Sequence, residues 1–232
     1  MMGKLPLLLL LAALAAGCGS SSSGTPTVVS ETTTAQVPVS PAASAVTVFR
    51  VQGGDLHAEV ERVPHTTAVA SSALGALGLA APVTITAGTA HVALTHASAD
   101  EIAEIVYTLT QFPSIKRVDV GGRSGLTRAD FAAYVPTILV ESPGAGAQVP
   151  LAIKITGSAS VFEATLVVEL VRDGKVLDKQ TVTASEGAPG RGTFETTLHA
   201  PSAGGATISA FAPSAENGLP QHQVDVSVTV TP

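Results

Sequence analysis

Residues 164–183 read ATLVVELVRDGKVLDKQTVT, and this stretch carries the clearest fold signal in the chain. Two runs rich in valine, leucine and threonine stand on either side of Asp173-Gly174. An Asp-Gly pair favours the tight two-residue turn that joins antiparallel strands, because both central residues of that turn need a positive φ. The stretch therefore predicts a β-hairpin with strands at 164–172 and 175–183.

The rest of the region 137–232 repeats this pattern of short strands separated by turn residues. Five further strands are predicted, at 137–142, 151–158, 192–199, 205–212 and 223–231. Seven short strands of this kind are typical of an immunoglobulin-like β-sandwich. The chain has one cysteine and no tryptophan. This all-β domain must therefore be stabilised by aliphatic packing, without the disulfide found in antibody domains.

Several sequence blocks of this region resemble the immunoglobulin-like domain of bacterial spore-germination proteins. The blocks are Ser142-Pro143, Gly146, GSASVFEA at 157–164, GAPGRGTF at 187–194 and PQH at 220–222. The resemblance implies an immunoglobulin-like fold over nearly the whole of 137–232.

Residues 45–122 predict a separate α+β small domain with the element order β-β-α-β-β-α-β. Residues 56–61 alternate apolar and polar side chains, as in a strand covered on one face. Ser98 and Glu101 form a capping box that begins a helix, and Pro113 ends it. We expect the helices to lie on one face of a single sheet. The other predicted elements are strands at 46–51, 83–86, 92–95 and 115–120 and a helix ending at Leu77.

This smaller domain resembles the sporulation and spore-germination (GerMN) domain. The resemblance is carried by residues 46–50, 62–64, Val118 and above all EIVYTLTQFP at 104–113. Residues 126–131 resemble the segment that joins such a domain to the immunoglobulin-like one. We therefore predict an inter-domain linker at 123–136, with the glycine-rich run 121–125 as a hinge.

The first 18 residues read MMGKLPLLLLLAALAAGC. A basic start, an apolar run too short to span a bilayer and a small-residue end predict a signal peptide at 1–17, cleaved after Gly17. The only cysteine, Cys18, follows, and its environment resembles the bacterial lipobox, which implies a covalent diacylglyceryl/acyl lipid on Cys18 as the mature N-terminus. An ordinary signal peptide with an incidental cysteine is the alternative. Residues 18–44 are rich in Ser, Thr and Pro and predict a flexible tether.

Composition narrows the classes of function. The chain has 18 acidic and 12 basic residues, a formal net charge of −6, and no basic run. Nucleic-acid binding and electrostatic adsorption to an anionic membrane are therefore disfavoured. The six histidines do not converge in sequence: His91 and His96 are expected to point to opposite faces of one strand. No catalytic motif is present, and we predict no enzyme activity, no metal and no cofactor beyond the lipid.

Three polar residues stand out as candidates for binding or for structural roles. Glu163 and Arg191 each lie in a block of small residues, and a Glu–Arg pair between two loops of the sandwich is predicted. His222 lies in a loop within the PQH block. A surface or turn-stabilising role for His222 remains an alternative.

These features predict a lipoprotein held by its lipid on the outer leaflet, at the extracytoplasmic face of the cell membrane. Its expected role is non-catalytic binding or scaffolding between membrane and wall, with an envelope protein or peptidoglycan as partner. The alternative is a ligand-binding or sensory accessory subunit of an envelope transport or signalling system. An enzyme would require a deep cleft joining His57 or His65 to a carboxylate and a serine.

Overall fold

The computed structural model describes residues 43–232. The predicted signal peptide, Gly17, Cys18 and nearly all of the predicted tether lie outside the described residues. Residues Ser40–Pro232 form one compact unit. All the buried apolar side chains of the described residues lie within it, so we treat it as the folding unit.

The N-terminal part contains six strands and two helices. In chain order they are β1 Ala43–Gln52, β2 Asp55–Pro64, α1 Val69–Ala76, β3 Val83–Thr86, β4 Thr89–Val92, α2 Ala99–Leu109, β5 Arg117–Val120 and β6 Arg123–Leu126. A 3-10 helix follows at Arg128–Tyr134, so the predicted linker range 123–136 carries this helix and β6. Gly121 and Gly122, predicted as part of a hinge, form the turn between β5 and β6. Both have a positive φ, as a two-residue hairpin turn requires.

The strands of this part form two sheets, where the sequence predicts one. β1 pairs only with β2, while the other four strands form a sheet in the order β3-β4-β5-β6. The separation has a physical cause in α2, whose side chains occupy the outer edge of β1. Thr108 Oγ1 accepts a hydrogen bond from the Phe49 amide at 2.9 Å, and Glu104 Oε1 accepts one from the Val51 amide at 2.8 Å. These bonds satisfy backbone groups that another strand would otherwise pair.

The same contacts explain the block at 104–113. Glu104, Thr108 and Gln111 recur on one face of α2, and Gln111 donates to the Thr47 carbonyl at 2.6 Å. Burial raises the pKa of the Glu104 carboxyl. Glu101 instead completes the predicted capping box with Ser98. Both carboxylates therefore have structural roles in holding α2 in position.

Residues 138–230 form the immunoglobulin-like sandwich that the sequence predicts. The strands are β7 Ile138–Ser142, β8 Ala147–Val149, β9 Ala152–Ala159, β10 Thr165–Arg172, β11 Lys175–Thr183, β12 Gly192–His199, β13 Gly204–Pro213 and β14 Pro220–Val230. One sheet has the order β12-β9-β7 and the other β11-β10-β13-β14-β8. All seven predicted strands are present. The three-residue β8, which pairs in parallel with β14, was not predicted.

Strand β7 connects the two parts of the protein. Ile138 and Val140 face the sandwich core, whereas Leu139, on the other face, packs into the core of the N-terminal part. Beside it, the Val60 amide donates to the Ala145 carbonyl, and the Ala145 amide donates to the Ala58 carbonyl, both at 2.8 Å. Two hydrophobic cores and a short backbone ladder thus share this junction.

Candidate functional site

Three loops meet at one end of the sandwich, which we call the loop end. They are residues 160–164, 184–191 and 214–219, and each joins two strands. The Ala188 amide donates to the Val161 carbonyl at 2.9 Å, which ties the first two loops together. Between the first and third loops lies an open groove of about 500 Å³. Antibody variable domains present their binding loops at one end of a sandwich in the same way.

The loop end concentrates unusual backbone conformations. Glu163, Ala164 and His222 have φ values of 52°, 56° and 53°. These lie in the left-handed region, which is unfavourable for residues other than glycine. Only two other non-glycine residues in the described part of the chain have a positive φ. Such strain persists only where surrounding structure enforces it, and it is common at binding sites.

Two large apolar side chains are exposed at this end. Phe162 is 73% exposed and Leu219 is 62% exposed, more than any other large apolar residue in the described part of the chain. Phe162 lines the groove. Leu219 does not line it, but its carbonyl accepts a hydrogen bond from the amide of Ser214, which does. Exposed apolar groups at the end of a rigid scaffold are typical of interaction surfaces.

The structure brings two of the three predicted residues together. Glu163 and His222 line the same groove. Arg191 lies elsewhere: it donates to the Pro136 carbonyl at 2.6 Å and to Ser158 Oγ at 3.2 Å. Burial lowers the pKa of its guanidinium. Arg191 therefore fixes the end of the segment that enters β7.

The predicted Glu163–Arg191 pair is wrong. Within residues 43–232, the Glu163 side chain forms no ion pair and no hydrogen bond, and only its backbone carbonyl accepts one, from the Thr165 hydroxyl. Glu163 is exposed in the groove with a left-handed backbone, while Arg191 donates to the Pro136 carbonyl. Glu163 and Arg191 each have small neighbours in the sequence, but this does not predict where either side chain points.

The glycines of the GAPGRG block have packing roles. A Cβ at Gly187 would lie 2.8 Å from the Ala164 amide nitrogen, and one at Gly192 would overlap the backbone of Glu186. The 184–191 loop can follow the 161–164 loop closely only because these side chains are missing. Sequence reasoning missed Phe162 and Leu219, since a single apolar residue in a loop has no periodic pattern that predicts exposure.

The other polar groups considered from the sequence do not assemble a catalytic site. Ser44 Oγ lies 3.0 Å from His65 Nδ1 at an exposed position, and no carboxylate in residues 43–232 contacts His65. His91 pairs with Asp119 at 3.0 Å, and His96 lies in a coil beyond β4. No cluster of three potential metal ligands occurs within residues 43–232. No helix in that range is long and apolar enough to cross a bilayer.

The first described residue lies far from the loop end. Ala43 lines a cavity together with Ala152 and Lys154 from the start of β9. The loop end begins just after the other end of β9, at Ser160. Eight residues of strand span about 25 Å. Ala43 and the loop end therefore lie near opposite ends of β9.

Comparison with protein families identifies the sandwich. Residues 137–219 match the family model described as the immunoglobulin-like domain of bacterial spore germination. The matched range contains β7 to β13, the GAPGRG block and both Phe162 and Leu219, and it ends just before β14. This domain family is a non-catalytic, binding-type family.

Comparison with the curated proteins finds no match. Among solved structures, the chain is similar to a crystal structure of an engineered protein, a target of a structural genomics consortium. The identity is 16%, the TM-score is 0.30, and the match covers 59% of this chain. It covers 38% of that engineered protein.

Proposed function

We propose that this protein is a lipid-anchored, non-catalytic binding protein of the cell envelope, and that its loop end holds a protein partner. The observation that carries the proposal is the exposure of two large apolar side chains at the loop end: Phe162, which lines the groove, and Leu219, in the 214–219 loop. An apolar anchor on a rigid turn binds at a low entropic cost, because the turn is already ordered. The match to a binding-type domain family gives independent support.

A lipid on Cys18, together with the tether predicted from the sequence, would hold the folded unit outside the membrane, where its loop end can meet a partner. Scaffolding between membrane and wall is the role we propose for such an anchored binding domain. The N-terminal part, proposed to be a GerMN-like domain with helices packed beside its strands, serves as a rigid support.

The lipid anchor is tested by Cys18→Ser in the full chain, expressed in a bacterium that makes lipoproteins. We expect the protein to lose incorporation of fatty acid almost completely, because serine lacks the thiol that the proposed lipidation requires. Metabolic labelling with radioactive palmitate measures this. Ser22→Ala, within the same predicted tether, is the matched control and should keep the label. A Cys18→Ser chain that remains labelled, or a wild-type chain that takes up no label, would disprove the anchor.

The loop end is tested by the double substitution Phe162→Ser and Leu219→Ser. We expect partner capture to fall by at least about tenfold, since each buried apolar anchor contributes about 1.5–3 kcal/mol. The wild-type unit 40–232 is immobilised, exposed to solubilised envelope extract and, separately, to purified sacculi. Mass spectrometry identifies what is retained. Both residues are exposed, so folding should be unaffected.

Val176→Ser together with Ile85→Ser is the matched control. Both are exposed apolar residues outside the loop end, at 52% and 46% exposure. If the loop-end double variant still captures the partner and this control does not, the binding site lies outside the loop end. If the wild-type unit binds sacculi and enriches no envelope protein, the partner is peptidoglycan and not a protein.

A further inference from the structure

A long cleft runs between the β1–β2 hairpin and the sandwich. It consists of two cavities, of about 710 Å³ and about 540 Å³. The two are adjacent, because Thr47 and Ser142 line both of them. The site is distinct from the loop end, with which it shares no lining residue. Clefts at the junction of two structural parts are common ligand sites.

Small residues open this cleft. On β1, alternate residues point to the same side, and those on the cleft side are Ala43, Ala45 and Thr47. On the sandwich side, the turn after β7 contributes Gly144 and Gly146. Gly144 lies so close to the Ala58 backbone that a Cβ would be 3.0 Å away from it. The two backbones are therefore in close contact at Gly144, and the cavity lies beside that contact.

The charges that line the cleft are opposite in sign to those of the whole chain. Four bases line it, and they are Arg62, Lys116, Arg128 and Lys154. The only acid that lines it is Glu141. Four bases against one acid leave a formal excess of three positive charges, in a chain whose formal net charge is −6. We call this surface the cationic cleft. Charges of one sign in a cleft raise the local concentration of a ligand of the opposite sign.

Several of these cations are available to a ligand. Arg128 pairs with Glu141 at 2.7 Å and is committed to that contact. Arg62 and Lys116 form no side-chain hydrogen bond or ion pair within residues 43–232. Lys154 contacts Glu195 at 2.9 Å, but both side chains are more than 60% exposed. An ion pair this exposed contributes at most about 1 kcal/mol, so a ligand can displace it.

Hydroxyl groups stand between the cations. Thr47 and Ser142 lie where the two cavities meet, between Arg62 on one side and Lys116 on the other. A phosphate monoester has three strong acceptor oxygens and a phosphodiester has two, and with several lone pairs each can accept from a guanidinium, an ammonium and hydroxyls at once. The lining matches that requirement.

We propose that the cationic cleft binds the phosphate group of an envelope phosphate ester, with Arg62 and Lys154 as its main charged contacts. Thr47 and Ser142 donate hydrogen bonds to the remaining phosphate oxygens. The phosphate comes from a soluble phosphate ester or from a lipid headgroup, and the chemistry of recognition is the same for both. The binding is reversible and requires no reaction.

The test uses the unit Ser40–Pro232 and two probes. Inorganic pyrophosphate, titrated by calorimetry at low ionic strength, represents the soluble source. Phosphatidylglycerol vesicles, compared with phosphatidylcholine vesicles by co-sedimentation, represent the headgroup. We expect saturable binding of at least one probe, weakened by raising the salt concentration. The double substitution Arg62→Gln and Lys154→Gln should weaken it by about tenfold or more.

The matched control is Arg117→Gln with Lys175→Gln, which removes the same charge from exposed positions outside the cleft. Its affinity should stay within about twofold of wild type. Binding of pyrophosphate alone favours a soluble phosphate compound as the source, and binding of vesicles favours the headgroup. If neither probe binds the wild-type unit, or if the control loses as much affinity as the cleft variant, the proposal fails.

Discussion

Replacing Gly157 with alanine is expected to destabilise the protein strongly. Gly157 lies in β9, the central strand of the β12-β9-β7 sheet, and pairs with Phe194 on one side and Val140 on the other. A Cβ at this position would overlap both the Leu139 carbonyl oxygen and the Phe194 ring. The ring can move a little, but the carbonyl belongs to the β7 ladder and cannot.

The expected loss is about 3 kcal/mol, at the upper end of what over-packing usually costs and a large part of the total stability of a typical domain. For a unit of this size that corresponds to a fall in Tm of about 6–12 °C. Calorimetry or thermal circular dichroism on Ser40–Pro232 measures it. Adding Phe194→Leu to Gly157→Ala should recover part of the loss by relieving the ring overlap.

Gly205→Ala is the matched control for this substitution. Gly205 also lies in a strand, β13, has no positive φ, and has open space where a Cβ would be added. Its Tm should change by no more than about 2 °C, and a small increase is possible because alanine restricts the unfolded chain. Equal effects at the two glycines would show that close packing at Gly157 does not limit stability.

The sequence predicts regular elements well wherever a local pattern decides them. The hairpin at Asp173-Gly174 lies where predicted, and both of its residues have a positive φ, at 50° and 72°. The helix capped by Ser98 begins where the capping box indicates. These features depend on a few neighbouring residues, so their physical causes can be read directly from the chain.

The sequence does not predict which distant segments pair. β8 has only three residues and forms in parallel with β14, about 80 residues away. The split of the N-terminal strands into two sheets depends on Thr108 and Glu104 reaching the edge of β1 from α2. Neither feature has a local periodicity. For the same reason, the partner of Arg191 was predicted to be a nearby carboxylate, when it is the carbonyl of Pro136.

Within the candidate site, the sequence pointed to polar residues of the groove but did not predict which apolar residues are exposed. Glu163 and His222 were singled out from their sequence blocks, and both line the groove at the loop end. Phe162, next to Glu163, was overlooked because a phenylalanine in a strand-rich region is usually buried. Its 73% exposure follows from the left-handed turn at Glu163 and Ala164. The cationic cleft was also beyond sequence reasoning, since its four bases come from distant parts of the chain.

Arg128→Ala is expected to uncouple the N-terminal part from the sandwich. The guanidinium lies over the Tyr107 ring at 4.7 Å and over the Phe49 ring at 5.4 Å. It also donates to Glu141 at 2.7 Å and to Thr110 Oγ1 at 2.9 Å. Glu141 belongs to β7, so a single side chain joins α2, β1 and the sandwich. Losing these contacts should lower stability by about 3 kcal/mol.

The distinctive expectation is a change in the shape of the unfolding transition. Wild type should unfold in one step, because the two hydrophobic cores share β7. In Arg128→Ala, the N-terminal part should unfold first, and the calorimetric peak should broaden or split. Arg128→Lys keeps the charge but loses the planar fork and the stacking, so it should resemble alanine more than wild type.

Arg117→Ala is the control, because Arg117 is an exposed arginine on β5 of the same part. Its transition should remain single, and its Tm should match that of wild type. Glu141→Gln keeps a hydrogen-bond acceptor for Arg128 while removing the charge, so its effect should lie between those of Arg117→Ala and Arg128→Ala. A single, unshifted transition in Arg128→Ala would mean that the shared strand β7 and the Ala145 ladder suffice to couple the two parts.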